Sequence, residues 1–269
     1  MDRTRRHLLL SAAALGPAIL FAGRLSAAPK EISITGLEAI NQAGRQRMLS
    51  QRMAKCYAQC MLGVRNDQAQ SLLTASANRF EDQLANLRRF TAAKERAEIA
   101  PTYDKLATLW GSYRAAVTAP PSASGLATIA RLNEQVLATA HEGTVQLEKS
   151  QASSLGKLVN LAGRQRMLSQ RMAKFYFFER NGLSSAETTA GLKKARADFV
   201  TAFAELKAAP ENTAEIRTWL SLADMQWAFF DEAIKQPGAS REQDQHVAVT
   251  SENILDAMDK LTALYTQLG

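Results

Sequence analysis

Arginine, glutamine, serine and lysine recur in one fixed order at two places in the chain. AGRQRMLSQRMAK runs from Ala43 to Lys55 and again from Ala162 to Lys174, an offset of 119 residues, and Asn41 and Asn160 extend the match upstream. Each copy holds three guanidiniums. A guanidinium is a rigid fork of N–H donors, suited to bidentate recognition of planar oxyanions. Drawn on a helix at about 100° per residue, Leu49, Met53, Tyr57 and Cys60 share a side that faces a core. Arg47 points the other way, among Gly44, Gln51, Ala54 and Ala58. Small residues around a long basic one let a second helix approach, which leaves the guanidinium in the seam between helices.

If two such helices meet about a two-fold axis, Arg47 faces Arg166. Two guanidiniums in a partly buried seam repel unless an anion or a carboxylate lies between them. A small inorganic anion, nitrate or nitrite, fits that geometry. The expected ligand-binding set is Arg47 and Arg166, with Asn41, Asn160, Ser50 and Ser169 as neutral donors. Gly44, Gly163, Gln51 and Gln170 lie beside them. Arg45, Arg52, Arg164 and Arg171 form a secondary basic edge that leans toward structural salt bridges.

Core packing tolerates exchange among Leu, Ile, Met and Phe. The flanks of the block behave that way, with Phe80 matching Phe199, Leu84 matching Phe203 and Leu87 matching Leu206. Thirteen identical residues, seven of them Arg, Gln, Ser or Lys, therefore point to a specific use beyond the fold.

Other chemistries find no footing. There is no Ser/His/Asp order, nucleophile elbow or phosphate-binding loop, so no catalytic residue is expected. His141 and His246 stand alone, without a second His at ligand spacing, and neither a metal nor a cofactor is expected. Met48, Met53, Met61, Met167, Met172 and Met225 read as core filling rather than copper ligands. Cys56 and Cys60 lie one helical turn apart, where a disulfide would be strained, and the second copy has Phe175 and Glu179 there. No C-x-x-C-H motif is present for covalent haem.

The elements that position the block read as helices throughout. Ala, Leu, Gln, Glu, Lys and Arg fill long segments, while Pro and Gly cluster at breaks. The pattern predicts helices at about 36–64, 68–93, from Pro101 to Pro120, and from Ser124 to about 150. The second copy repeats them at about 155–181, 185–208, 212–235 and 240–268, with breaks at Asn181-Gly182, Pro210 and Pro237-Gly238. An Asn-Glu or Glu-Asn pair recurs late in each copy, as Asn133-Glu134 and Glu252-Asn253. The fold class is all-α: two tandem four-helix bundles related by an internal repeat, packed as a pseudo-two-fold dimer or stacked end to end. Ser153-Ser154 and Gly156 favour a bend at the junction. The expected domains are 1–28, 29–150 and 151–269.

Residues 1–28 read as a twin-arginine signal peptide. Arg5-Arg6 precedes an apolar stretch from Leu8 to Ala22 that Gly16 and Pro17 interrupt, and Ser26-Ala27-Ala28 offers a cleavage site. The expected location is the periplasm. Loss of four arginines and one aspartate with that segment lowers the formal charge from +7 to +4. Export and the absence of a basic tail argue against nucleic acid. No later stretch reaches the roughly 18 apolar residues of a membrane-spanning helix.

The segments Ile40–Met53 and Val159–Met172 resemble the P-box, the motif of the periplasmic sensor domain in NarX-type nitrate/nitrite kinases and of the N-terminal domain in PilJ-type pilus chemotaxis transducers. The resemblance implies a four-helix sensor module that binds nitrate or nitrite at a dimer interface, gripped by one P-box arginine from each subunit, at the position that matches Arg47 and Arg166. The nitrate sensors carry a lysine where this chain has Gln42 and Leu161. It also implies a membrane-bound signalling partner to report the ligand. The expected function is a non-enzymatic, ligand-binding protein of sensor type. The alternative is a ligand-free helical interaction module that docks a membrane sensor, a pilus component or an exported reductase.

Overall fold

A computed structural model describes residues 34–235 and 240–269, so the segment 1–28 and the break at Pro237-Gly238 lie outside the described residues. The described chain is α-helical, with no strand among the described residues. The first copy forms α1 (Gly36–Leu62), α2 (Asn66–Thr91), α3 (Ala100–Thr118) and α4 (Ala123–Gln151); the second forms α5 (Ser154–Arg180), α6 (Ala186–Ala208), α7 (Ala214–Lys235) and α8 (Arg241–Thr266). A short 3-10 turn, Lys94–Arg96, joins α2 to α3.

Capping residues fix the ends. Thr35 caps α1, its hydroxyl accepting from the Glu38 N–H, and Gly63 ends the helix at φ 64°, a conformation that costs glycine little. Ser122, rather than Ser124, caps α4 through the Gly125 N–H, because Pro120-Pro121 holds the chain extended up to that point. Ser153 caps α5 in the same way through Gly156.

The junction bends sharply. Ala152 adopts a left-handed conformation (φ 46°, ψ 38°), so α4 stops at Gln151 and α5 starts afresh at Ser154. The copies consequently lie side by side, and α1 runs parallel to α5. Ile40 meets Gly156 near the helix starts, Gly44 meets Gly163 along the seam, and the Ala58 carbonyl accepts from Asn181 Nδ2 near the far ends.

Each copy wraps its inner helix with equivalent contacts. Gln46 Nε2 donates to the Phe80 carbonyl at 3.1 Å, and Gln165 Nε2 donates to the Phe199 carbonyl at 3.0 Å. Those two phenylalanines stack on Trp110 and Trp227, both at 4.2 Å between centroids. Since α1 packs against α2, α4 and α5, it is buried without interruption from Ala39 to Gln51. A helix buried all round is normally apolar. This one is rich in Arg, Gln and Ser, so every polar group on it needs a partner within the protein.

Candidate functional site

The seam is narrowest at the glycines. A methyl group built on Gly44 would lie 3.7 Å from the Gly163 Cα, and one built on Gly163 would lie 3.7 Å from the Gly44 Cα. The same two positions border both guanidiniums: the Gly44 methyl would meet Arg47 Nη2 at 3.3 Å and Arg166 Nη2 at 3.5 Å. Arg47 and Arg166 are fully buried there. Each reaches across the seam to the opposite helix. Arg47 Nη2 donates to Asn160 Oδ1 at 2.7 Å and to the Asn160 carbonyl at 3.3 Å. Arg166 Nη2 donates to Asn41 Oδ1 at 2.9 Å and to the Asn41 carbonyl at 3.2 Å. Glu38 and Glu148 accept from the amide nitrogens of Asn41 and Asn160, which turns each amide oxygen toward its arginine.

Beyond these shared contacts the halves differ. Arg166 Nη1 is ion-paired with Asp259, which Arg45 also engages at 2.8 Å. Arg47 has no carboxylate partner among the described residues; its Nη1 lies 3.2 Å from His141 Nδ1. Arginine has only donors, so Nδ1 accepts, and this contact requires a neutral His141 with its proton on Nε2. Burial, followed by the charges of Arg166 and Arg164, pulls the Arg47 guanidinium down to about 9, which leaves it charged at neutral pH. Burial, then Arg47 and Arg164, lowers His141. Burial alone would raise the Asp259 carboxyl, but Arg166 and Arg45 outweigh it and hold it well below the usual carboxylate range. The Nε atoms of both Arg47 and Arg166 are buried without a hydrogen-bond partner.

A cavity of about 240 Å³ opens beside the Arg47 half, lined by Arg47, Glu134, Leu137, Ala138, His141, Arg164 and Met167; the Glu134 carboxylate at its edge is taken up by Arg171 and Lys174. Farther along the seam lie two buried lysines. Lys55 Nζ reaches Ser251 and Glu252 on α8, and Lys174 Nζ reaches Asn133 and Glu134 on α4 at 2.9 and 2.8 Å. Both contacts cross between the copies. Burial and the nearby Arg171 bring Lys174 down to about 7.

The structure gathers Arg47, Arg166, Asn41, Asn160, Gly44 and Gly163 at one place. The remaining residues of the expected set sit elsewhere. Ser50 and Ser169 donate back to the carbonyls of Arg47 and Arg166. Gln51 Nε2 donates to Asn133, and Gln170 Nε2 to the Ser251 carbonyl, so both amides face α4 or α8. The basic edge is ion-paired: Arg45 with Asp259, Arg52 with Glu252, Arg164 with Asp198 and Arg171 with Glu134. Cys56 and Cys60 are free thiols. No group of three or more His, Cys, Asp or Glu at metal spacing occurs among the described residues.

His141, Asp259, Lys55 and Lys174 belong to the seam but are missing from the expected set. The two lysines close the repeated block, a position that marked them. His141 and Asp259 were harder to pair. The offset of 119 residues that aligns α1 with α5 matches His141 to Lys260. In the structure the α4 and α8 caps, Ser122 and Ser240, differ by 118, and at that offset Asn133 meets Ser251, Glu134 meets Glu252 and His141 meets Asp259.

A duplicated helical module whose two inner helices pair through a charged, buried seam is the class that this fold and site define. The chain belongs to the PilJ family, the type IV pili methyl-accepting chemotaxis transducer N-terminal domain, which matches twice, over residues 36–138 and 149–250. It is also similar to methyl-accepting chemotaxis protein McpN of Pseudomonas aeruginosa, with 40% identity over 80 residues, 29% of this chain and 15% of that protein. No solved structure matches the chain. No helix among the described residues is long and apolar enough to cross a membrane.

Proposed function

We propose that this chain is a periplasmic sensor-type protein, without catalytic activity, that recognises a small oxyanion, nitrate or nitrite, through the paired P-box arginines Arg47 and Arg166. The observation that carries this reading is the charge balance of the seam. Two fully buried guanidiniums share a glycine crossing, both Nε atoms lack partners, and among the described residues one carboxylate, Asp259, is ion-paired directly with either of them. A buried orphaned donor on a charged group calls for an ion or a water, and an arginine fork suits a planar oxyanion. Export by the twin-arginine route and a membrane-bound signalling partner that relays the ligand-bound state complete the proposal.

Calorimetric titration of the full chain with nitrate, nitrite, sulfate and chloride tests it. Nitrate or nitrite should bind at up to millimolar concentration, and Arg47→Ala combined with Arg166→Ala should abolish the heat while helix content persists. Absence of heat with every anion would sink the reading.

The ligand-free docking reading draws on one observation. Met225 and Phe229 are 56% and 64% exposed, four residues apart on α7, and exposed apolar side chains grouped on one face mark interaction sites. Under that reading no anion binds, and Met225→Ser with Phe229→Ser disrupts association with the partner.

A further inference from the structure

The two inner helices share an identical thirteen-residue block, yet the outer helices packed against them differ, and two of the differences bear on the arginines. His141 on α4 occupies the place that Asp259 holds on α8. Tyr103 on α3 packs against Gly143, where a methyl group would meet its ring and hydroxyl at 2.9 Å. The offset of 117 that relates Trp110 to Trp227 matches Tyr103 to Leu220. The Tyr103 hydroxyl is buried without a hydrogen-bond partner, and it lies close enough to Arg47 to interact with it electrostatically. The Arg47 half thus combines a guanidinium with no carboxylate partner among the described residues, an orphaned hydroxyl and a cavity. The Arg166 half has a carboxylate with Arg45 and Arg166 both clasping it.

We propose that the anion seat lies off the pseudo-two-fold axis, in the cavity beside Arg47, His141 and Arg164, and that Asp259 is a tethered anion occupying the mirror seat. This rests on the oxyanion reading above and makes it more specific: one anion binds per chain, on the α4 side. Asp259 also defines the ligand class. A carboxylate is a trigonal planar monoanion, so the empty counterpart suits nitrate, or a small carboxylate such as acetate. Arg47 supplies charge and its unpartnered Nε–H, Arg164, ion-paired with Asp198 through Nη2, offers its remaining N–H donors from α5, and neutral His141 keeps its Nε2–H as a further donor. Arg166 is already neutralised and contributes less.

Titration of the full chain and its variants with sodium nitrate and, separately, sodium acetate distinguishes the outcomes. The unmodified chain should bind one anion. His141→Ala and Arg164→Ala, both at solvent-reachable positions, should each weaken binding about tenfold, and Arg47→Ala should abolish it, while Arg166→Ala retains it. Asp259→Asn should bring the stoichiometry toward two. Asp259→His, which copies the α4 half onto α8, does the same if the Asn variant unfolds. Nitrate preferred over acetate assigns an inorganic ligand, and the reverse assigns a carboxylate. Stoichiometry that stays at one in both Asp259 variants overturns the tethered-anion assignment. One bound nitrate, unaffected by His141→Ala and Arg164→Ala but lost in Arg166→Ala, overturns the off-axis seat and leaves the oxyanion reading standing. No anion bound by the unmodified chain or any variant removes both.

Discussion

His141 is the residue where proton and anion binding meet. Its Nδ1 accepts from Arg47 only in the neutral form, and the imidazole faces Arg47 from α1, Arg164 from α5 and Glu148 within α4. Burial and the two arginines favour the neutral ring, so its folded value lies below the ordinary 6.5. The sign follows from that. Its contribution to stability is complete above the unfolded value and disappears as pH falls through the lowered folded one. An anion in the adjoining cavity works against that preference and pushes the His141 value back up, because imidazolium then gains a counter-charge. Nitrate affinity should therefore rise by up to about tenfold between pH 7.5 and 5.5, a change of about 1.4 kcal/mol. Calorimetry in matched buffers measures it, and His141→Ala should flatten the profile.

The seam between α1 and α5 leaves room for little more than a methyl group at Gly44 and Gly163. Gly44→Leu should overpack it and lower stability by about 1–3 kcal/mol, whereas Gly111, on α3 with open space around it, should gain roughly 0.5–1 kcal/mol on replacement by Ala. Urea denaturation reads both. The cross-copy lysines give an unequal pair of tests. Lys55 is fully buried and leans on Glu252, whose side chain is 14% exposed, while Glu134, the partner of Lys174, is 48% exposed. Glu252→Gln should cost about 3 kcal/mol, as expected on leaving a buried charge unpaired. Glu134→Gln should cost distinctly less, since water screens that pair. Equal losses would show that burial does not govern these contacts.

For the whole molecule, acid is the revealing variable. Glu252 and Asp259 are both held low by buried cations despite their own burial, and Glu134 is held at about 2 by Lys174 and Arg171. Carboxyls with depressed folded values stabilise above their unfolded values and lose that contribution as pH falls through the folded ones. The urea midpoint should slip a little below pH 6.5 as His141 is forced to protonate and then drop more steeply from about pH 5 toward pH 2 as these carboxyls do. Much of this architecture was legible in the sequence. Helical period, proline breaks and the repeat gave eight helices, and the small-residue face placed Arg47 and Arg166 in a seam. Identity across thirteen residues was the weaker guide, because it did not separate roles. Gln46, Ser50, Gln51 and Lys55 satisfy buried polar groups of an inner helix, a duty of the fold itself. Asp259 is hidden from a constant offset because the loops on either side of α3 and α7 differ in length, so the match at 119 already fails at α7, one helix before it.

The left-handed turn at Ala152 has one last consequence. It joins the two halves of the seam covalently, so they meet at any dilution and ligand affinity carries no dimerisation step. It also frees each half from the other. In a two-fold dimer of identical chains every substitution appears twice, whereas here Asp259 stands in one half alone while His141 keeps the other open. A single chain can thus specialise one mirror position as lock and the other as receptor, a division of labour closed to a symmetric pair.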